Sequence, residues 1–235
     1  MSTQFSQLVR YLWREWLFPL GLLFVVLSPL RSAVVDWNWV PSGSMKPTIV
    51  EGDLVVVNKL AYDLKVPFTT THLMKWSDPA RGDIAVFYSP QDGTRLVKRV
   101  IGVPGDTIEL RNEILYINGV AQHYSPVDSQ RFVRDIFEDP APIVAVEGLP
   151  SCPHYVLGLP NRGALRSFAP ITVGPGKYFM MGDSRDNSHD SRFFGLVDRE
   201  KILGRANLVL ASFDTSRYLL PRFHRFLDTL ALKEG

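Results

Sequence analysis

The amino-terminal part of the chain carries one long apolar stretch. From Trp16 to Leu30 the sequence reads WLFPLGLLFVVLSPL, without a charged side chain. A membrane-spanning helix needs about 20 apolar residues. Extending the stretch to Val35 reaches that length and includes Arg31, whose charge can still reach the membrane surface from the end of a span. The pattern therefore predicts one transmembrane helix over residues 16–35.

The flanks of this stretch are typical of a membrane interface. Arg10 and Arg14 precede it, which favours a cytoplasmic segment over residues 1–15. A cleavable signal peptide is one alternative, disfavoured because bulky or charged residues follow the stretch where small ones would be needed. A buried helix of a soluble domain is the other alternative, disfavoured by the flanking tryptophans. These are Trp13, Trp16, Trp37 and Trp39.

Beyond residue 40, apolar residues occur in short runs separated by turns. Gly-Asp pairs precede several of the runs, as is typical of turns that lead into strands. No long amphipathic helical pattern occurs between residues 40 and 215, so the sequence predicts a mainly β fold with a coiled antiparallel sheet over 36–215. The predicted strands are 54–57, 84–88, 96–102, 107–110, 114–117, 177–181 and 202–213.

Two regions depart from this pattern. Residues 120–175 are rich in proline and glycine, which predicts an irregular inserted subdomain. The C-terminal tail, 216–235, mixes leucine and phenylalanine with arginine. That composition predicts a short helix, which either lies at a membrane surface or caps the domain.

Composition excludes several classes of function. With 46% hydrophobic and 21% charged residues, the 235-residue chain can form a packed core. The net charge of +2 gives no basic surface for nucleic acid. Cys152 is the only cysteine, so no internal disulfide or cysteine-based zinc site is expected, and the scattered histidines predict no metal or cofactor. The acidic run 183–190 resembles a calcium loop, but the twelfth position is Phe194 instead of glutamate.

A serine-bearing loop follows directly on the apolar stretch. Residues 41–48 read PSGSMKPT, which predicts a stiff, sharply bent loop whose hydroxyl groups need a base to act as nucleophiles. His189 is one candidate base, in a charged loop. Lys98 is the other: on a strand it shares a face with Leu96 and Val100, and burial on an apolar face lowers a lysine pKa. An ordinary strand lysine with its amine in solvent is the alternative reading of Lys98.

Four ordered segments carry a family resemblance. They are PSGSMKPT at 41–48, RGDIAVFYSP at 81–90, LVKRVIGVPGD at 96–106 and GDSRDNSHDSRFFG at 182–195, after an N-terminal apolar segment. In these segments the chain resembles the bacterial type I signal peptidases, the membrane-bound leader peptidases. The resemblance implies a serine endopeptidase with a Ser–Lys dyad that removes signal peptides from exported preproteins without a cofactor.

The resemblance also implies a role for each matching side chain. Ser44 matches the nucleophile and Lys98 the general base. Ser42 matches the serine whose hydroxyl joins the Ser44 N–H in the oxyanion hole, and Ser188 the serine that orients the lysine amine. His189 falls at a variable position and receives no role.

Further positions are implied as support and as substrate contacts. Asp190 and Arg192 match an ion pair that supports the site. The residues matching the wall of the pocket for small substrate side chains are Val40, Pro41, Met45 and Val97. For each of these four, core packing is the alternative.

The implied setting is the bacterial inner (cytoplasmic) membrane, with the catalytic domain on the periplasmic or extracytoplasmic side. The implied partners are signal peptides, the lipid bilayer and, transiently, the protein-export machinery. The chain departs from larger Gram-negative members, which have two spans and a disulfide in the insertion; Cys152 cannot form that bridge within the chain. Ser184 also stands where the family usually has asparagine.

Three other functions remain as alternatives. A peptidase dedicated to a conjugative-transfer or secretion-linked substrate would carry similar motifs. A membrane-anchored binding domain without catalysis predicts loss of Ser44 or Lys98, yet both are present. A soluble self-cleaving repressor would need a DNA-binding domain in place of the apolar stretch.

Overall fold

The structure, a computed structural model, describes residues 11, 13–66, 69, 71–132, 134–136, 142–150 and 152–231. Helix α1 comprises Phe18–Val34 and follows a π-helical turn at Trp13–Leu17. Helix α2 is a single turn, Ser191–Phe194. Apart from short 3₁₀ turns, the other regular elements of the described residues are strands.

The described residues form eighteen strands. In chain order they are β1 Val35–Trp39, β2 Asp53–Asn58, β3 Asp63–Lys65, β4 His72–Lys75, β5 Ile84–Tyr88, β6 Arg95–Gly102, β7 Thr107–Arg111, β8 Ile114–Ile117, β9 Val120–Ala121, β10 Tyr124–Val127, β11 Ile143–Glu147, β12 His154–Gly158, β13 Phe168–Thr172, β14 Lys177–Met181, β15 Val197–Asp198, β16 Ile202–Asp214, β17 Leu220–Pro221 and β18 Asp228–Thr229.

The mainly β prediction is confirmed. Each of the predicted strands is present, with ends that differ by no more than one residue. The main sheet has the order β1-β2-β16-β5-β6-β14-β15 and curls into a half-barrel of antiparallel strands, with β17 and β18 added to β16. The bulges along β16, where its pairing with β2 and β5 shifts, favour this curvature.

The serine-bearing loop is closed at its base by the first two strands of this sheet. Val40 N–H donates to Asp53 O at 2.9 Å, and Gly52 N–H donates back to Val40 O at 2.9 Å. Met45 and Ile49 lie inside the loop and are almost completely buried in the core between β2, β5 and β16. The loop is therefore fixed by core packing as well as by its own turns.

Smaller sheets flank the main one. The sheet β10-β11-β12 lies within residues 120–175, and β13-β7-β8-β9 combines that region with the strands before it. The stretch predicted to be irregular therefore contains short paired strands. Its backbone meets the 182–192 loop directly, because Leu157 N–H donates to Asp183 O at 2.8 Å.

The predicted C-terminal helix is wrong for the described residues of the tail. They form the two-residue strands β17 and β18 and a 3₁₀ turn at Phe223–Arg225. Strand pairing with β16 takes the place of helical hydrogen bonds. In addition, Arg225 forms a buried ion pair with Asp53 at 2.7 Å, so an arginine expected on a polar helix face lies in the interior.

The predicted transmembrane segment, 16–35, is helical up to Val34 and begins β1 at Val35. Helix α1 has 17 residues, and within the described part of the chain no helix combines the length and the apolar character that crossing a membrane requires.

Candidate active site

Ser44 lies in the middle of a 3₁₀ turn, Gly43–Met45. The turn is closed by a hydrogen bond from Lys46 N–H to Gly43 O at 3.1 Å. Ser44 is 8% exposed as a residue, so it lies at the edge of the protein interior. Ser42 precedes the turn in an extended conformation, is exposed, and makes no capping hydrogen bond with its side chain.

A hydrogen bond joins Lys98 Nζ to Ser44 Oγ. Lys98 lies on β6, and only 3% of the residue is exposed. The sequence prediction that Lys98 points to an apolar face agrees with this burial. The structure thus brings together the two residues that the resemblance implies as nucleophile and base, although 54 positions separate them in the chain.

The environment of Lys98 makes its amine a suitable base. Burial lowers the pKa of Lys98 to about 8, against an ordinary lysine value of 10.5. The carboxylates of Asp190 and Asp183 act in the opposite direction, and Arg192 lowers the pKa further. With a pKa near the working pH, part of the amine is neutral and can accept the hydroxyl proton of Ser44.

Arg99, the next residue on β6, points to the opposite face and holds Asp183. Arg99 Nε donates to Asp183 Oδ1 at 2.8 Å, and Arg99 Nη2 donates to Asp183 Oδ2 at 2.7 Å. Thr48 Oγ1 donates to the same carboxylate at 2.5 Å. This cluster was not predicted from the sequence. The only feature of the sequence that indicates it is a charged residue on each face of an otherwise apolar strand.

Ser188 lies beside the dyad without the hydrogen bond that the resemblance implies. Its Oγ is buried and makes no hydrogen bond of good geometry among the described residues, although it is close enough to Asp190 to help lower the pKa of that carboxyl. Gly182 brings it close: a Cβ at position 182 would stand 2.3 Å from both Ser188 Oγ and Ser44 O. Only glycine therefore lets these two segments meet, and the orienting role of Ser188 stays a prediction.

The implied ion pair between Asp190 and Arg192 is present and buried. Arg192 Nε donates to Asp190 Oδ1 at 2.8 Å, and its Nη2 donates to Oδ2 at 2.9 Å. Asp190 Oδ2 also accepts from Gly182 N–H at 3.0 Å. The pair thereby fixes the backbone of Gly182, which lies between Ser188 and Ser44 in space. Although desolvation opposes it, the contacts with Arg192 lower the pKa of Asp190, which stays ionised.

The backbone at Ser44 carries a free donor. The first N–H groups of a helical turn have no partner within the turn, and Ser44 N–H belongs to this class. The Ser42 side chain, just before the turn, makes no capping hydrogen bond. The oxyanion role that the resemblance implies for Ser42 stays a prediction.

The implied pocket residues divide by burial. Val40 and Met45 are 5% and 1% exposed and belong to the core cluster of the main sheet, which agrees with their alternative reading as core residues. Val97 is partly buried against the same cluster, and Pro41 is exposed. Pro41 and Val97 are therefore the two with solvent-accessible surface, and the substrate-binding role of all four residues stays a prediction.

His189, the other candidate base, makes its contacts with Gln91 and Phe193. Its Nε2 lies 3.0 Å from Gln91 Oε1, and its ring stacks on Phe193 with centroids 5.2 Å apart. These contacts link the 182–192 loop to the turn between β5 and β6. Lys46, the lysine nearest Ser44 in the sequence, forms an ion pair with Glu51 at 3.0 Å.

A second buried polar cluster, which sequence reasoning missed, comes from the 120–175 region. Glu147 accepts hydrogen bonds from Arg185 Nη1 at 2.7 Å and Nη2 at 2.6 Å. His154 Nε2 lies 3.4 Å from Glu147 Oε2 and 3.8 Å from Asp183 Oδ1. Burial lowers the pKa of His154 to about 4, so the imidazole is neutral at ordinary pH. Through Asp183 this cluster adjoins the Arg99 pair.

Comparisons with known proteins show the family of the chain. The family model described as signal peptidase, peptidase S26, matches residues 13–211. Signal peptidase I of Pseudomonas aeruginosa is 37% identical over 221 residues, which cover 87% of this chain and 74% of the relative. Signal peptidase IB of Staphylococcus aureus MRSA252 is 30% identical over 210 residues, covering 87% of this chain and 92% of the relative. A crystal structure of a signal peptidase I from Enterococcus faecalis V583 is 35% identical and covers 55% of this chain and 97% of its own, with a TM-score of 0.34.

The matched family and the relatives are peptidases, so the β-rich domain of this chain is a peptidase as well. The chain belongs to the signal peptidase family, peptidase S26, since the family model spans most of its length. The assignment rests on the sequence matches, and it confirms the resemblance of the four segments.

Proposed function

We propose that this protein is a membrane-bound serine endopeptidase that removes N-terminal signal peptides from exported preproteins. The observation that carries the proposal is the hydrogen bond between a buried lysine, Lys98, and a serine hydroxyl, Ser44. A lysine is a weak base catalyst when fully solvated, because it is protonated. Burial brings the pKa of Lys98 to about 8, where the neutral amine is available.

The reaction follows from these groups. The neutral Lys98 amine takes the proton of Ser44 Oγ as the oxygen attacks the scissile carbonyl carbon. The oxyanion that forms accepts hydrogen bonds from Ser44 N–H and the Ser42 hydroxyl. Lys98, now an ammonium, protonates the departing amine, and the C–N bond breaks. The same amine then accepts a proton from water, which hydrolyses the acyl-enzyme and releases Ser44.

Substrate selection follows from the surroundings of the dyad. Signal peptides carry small residues just before the cleavage site. In this proposal the exposed Pro41 and the partly buried Val97 contact the substrate, and the buried Val40 and Met45 support them from the core. Shallow apolar contacts of this kind admit alanine and exclude larger side chains. An extended peptide is expected to bind along a strand edge.

The anchor over 16–35 is part of the same proposal. Apolar side chains of α1, among them Leu20, Phe24 and Val25, are 57%, 72% and 65% exposed. An apolar helix with exposed sides is favourable in lipid, where its own hydrogen bonds satisfy the backbone. The proposed location is the bacterial inner membrane, with the β-domain outside the cytoplasm and transient contact with the export machinery. Resistance of the protein to alkaline extraction from membranes tests the anchor; release by alkali would contradict it.

The catalytic proposal is tested by cleavage of a preprotein in detergent. Wild type is expected to release the signal peptide, while Ser44→Ala and Lys98→Ala are expected to lose roughly 10³-fold or more of kcat/KM. Lys46→Met is the matched control, because Lys46 is a buried lysine of the same loop paired with Glu51. Near-normal cleavage by Lys98→Ala, or a loss in Lys46→Met equal to that of Lys98→Ala, would overturn the assignment.

A further inference from the structure

The strand before the Ser44 loop presents polar side chains to the inside of the half-barrel. Asp36, Asn38 and Val40 alternate along one face of β1 and its continuation. This is the inner face, because Val40 belongs to the core cluster of the main sheet. The same cluster contains Val57 and Val55, the β2 residues that pair with Asp36 and Asn38. Two polar side chains therefore lie on an otherwise apolar inner face.

Arg95 meets Asp36 across the open side of the half-barrel. Strands β1 and β6 are not neighbours, since β2, β16 and β5 separate them in the sheet order. Even so, Arg95 Nη2 donates to Asp36 Oδ2 at 2.6 Å. Closer to the dyad on the same two segments, Val97 packs against the core cluster that contains Val40. The two sides of the half-barrel thus face each other at an apolar level and at an ionic level.

The part of β6 beside this space has a free edge. Strand β14 pairs with β6 only from Arg99 onward, so among the described residues 95–98 have β5 on one side and no strand on the other. An extended peptide can add to such an edge. From Lys98 to Arg95 it advances about 10 Å, or three residues. A peptide attacked at the dyad therefore reaches the Asp36–Arg95 pair with its fourth or fifth residue from the cut.

Asn38 carries an unused donor between the two levels. Its Nδ2 is buried and has no hydrogen-bond partner among the described residues. A buried donor without an acceptor is unfavourable, and such groups are rare in folded proteins. Because Asn38 lies between Asp36 and Val40 on the inner face of β1, this donor suits a backbone carbonyl of a peptide that runs between β1 and residues 95–98.

The direction of the peptide follows from the proposed anchor. Asp36 lies two residues after Val34, the last residue of α1. The apolar part of a signal peptide precedes its cleavage site and enters the same membrane as α1. The residues before the cut therefore run toward Asp36, and the residues after it run away from the ion pair.

We infer that Asp36, Asn38 and Arg95 bind the signal-peptide residues at the fourth and fifth positions before the cut. The inference rests on the proposed function and adds a selectivity to it. Asn38 donates to a peptide carbonyl, and the ionic level distinguishes charge. Lys59 Nζ also lies 3.5 Å from Asp36 Oδ2, so this level has two cations and one anion. An acidic peptide side chain is therefore favoured there over a basic one.

Two opposite charge changes test this selectivity on the full chain in detergent. The substrates are peptides that span a cleavage site, with glutamate or with lysine at the fourth and fifth positions before the cut. Wild type should prefer glutamate by roughly 3- to 5-fold in kcat/KM. Arg95→Gln should remove this preference, whereas Asp36→Asn should enlarge it. Arg111→Gln is the matched control, because its pair with Glu109 has the same length, 2.6 Å, in another sheet.

Only opposite shifts in the two variants support the inference. Both variants break the same ion pair, so a merely structural role would affect them alike. Shifts in one direction, or no shift in either variant, would overturn the inference. A shift of the same size in Arg111→Gln would overturn it as well, because that arginine lies in another sheet.

Asn38→Ala tests the donor separately. On a peptide that extends well beyond the fifth residue before the cut, KM should rise roughly 5-fold with kcat unchanged. The rise should vanish on a peptide that begins at the third residue before the cut. An equal rise on both peptides, or none on either, would overturn the assignment of Asn38. Failure of wild type to cleave any of these peptides would instead reject the proposed function.

Discussion

Arg99 and Asp183 bind each other through two parallel hydrogen bonds in the protein interior, at 2.8 and 2.7 Å. They are 84 positions apart and join the strand that carries Lys98 to the loop that carries Ser188. Thr48, at the end of the Ser44 loop, donates to the same carboxylate. One ion pair thus connects the three segments that supply the site.

Asp183→Asn is expected to destabilise the protein strongly. The substitution leaves the Arg99 guanidinium buried opposite a neutral group, and breaking a buried pair costs about 3–5 kcal/mol of unfolding free energy. Asp198→Asn is the control: its pair with Lys177 has a similar length, 2.6 Å, but both side chains are 45% exposed. The measurement is denaturant unfolding in detergent, and the control should lose less than about 1 kcal/mol of unfolding free energy. Equal losses in the two variants would contradict the assigned importance of the Arg99 pair.

Activity is expected to rise with pH until Lys98 has lost its proton. Below its pKa of about 8 the amine is protonated and cannot act as base, so kcat/KM should increase about tenfold per pH unit and level off above pH 8. Asp190→Asn should move this limb to lower pH, because the Asp190 carboxylate raises the lysine pKa. The measurement is a pH–rate profile on a peptide substrate. A limb that stays in place or moves upward in the variant would reject Lys98 as the titrating group.

Gly182→Ala is expected to lower activity by roughly 100-fold. Its Cβ would stand 2.3 Å from Ser188 Oγ and from Ser44 O, and the latter is a backbone atom that cannot turn away. The loop must therefore shift, and displacement of a nucleophile by about 1 Å costs on the order of 100-fold in rate. Gly174→Ala is the control, since nothing lies within 4 Å of its Cβ position. Full activity of Gly182→Ala would show that the close approach at this glycine is dispensable.

Ser42→Ala tests the oxyanion assignment. Loss of one donor should lower kcat by roughly 100-fold, about 3 kcal/mol, with little change in KM. Thermal stability should remain at the wild-type value, because the exposed Ser42 side chain makes no capping bond. Ser42→Thr keeps a hydroxyl and should retain most of the activity. A rise in KM at constant kcat would instead assign Ser42 to substrate binding.

His154 is expected to make the protein sensitive to mild acid. Its pKa is 6.5 in the unfolded chain and about 4 in the folded one, so between these values the unfolded state binds more protons. Stability from this group is complete above pH 6.5 and falls by roughly 3 kcal/mol as pH drops to 4. In His154→Gln the slope of unfolding free energy between pH 6.5 and 5 should largely disappear. An unchanged slope would show that another group controls acid stability.

Local pattern was enough to predict the strands and the burial of Lys98. Alternation along 96–102 placed Lys98 with Leu96 and Val100, and Lys98 and Val100 are buried in the structure. The partner of Arg99 could not be predicted from the sequence, because no local pattern relates this residue to an aspartate on another segment. The same holds for Glu147 and His154, which become partners of Arg185 and Asp183 only after the small sheets assemble.

The C-terminal tail shows where composition misleads. Leucine, phenylalanine and arginine in that spacing fit an amphipathic helix as well as a chain that returns along a sheet. Long-range contacts decide between them: Arg225 pairs with Asp53, and Arg222 donates to Glu51 O at 2.9 Å. Tertiary pairing therefore overrides the local preference.

The opposed directions of Lys98 and Arg99 limit how this protein can evolve. Deleting or inserting one residue in the turn before β6 would slide the strand by a single position. A deletion would bring Arg99 to the place of Lys98, and an insertion would bring Val97 there. Arginine does not lose its proton under these conditions and valine has no basic group, so neither would supply the base that the proposed mechanism needs. A slide of two positions would restore the faces but would put Leu96 or Val100 in that place, so a length change is expected to be tolerated only where the turn absorbs it and β6 keeps its register with β5.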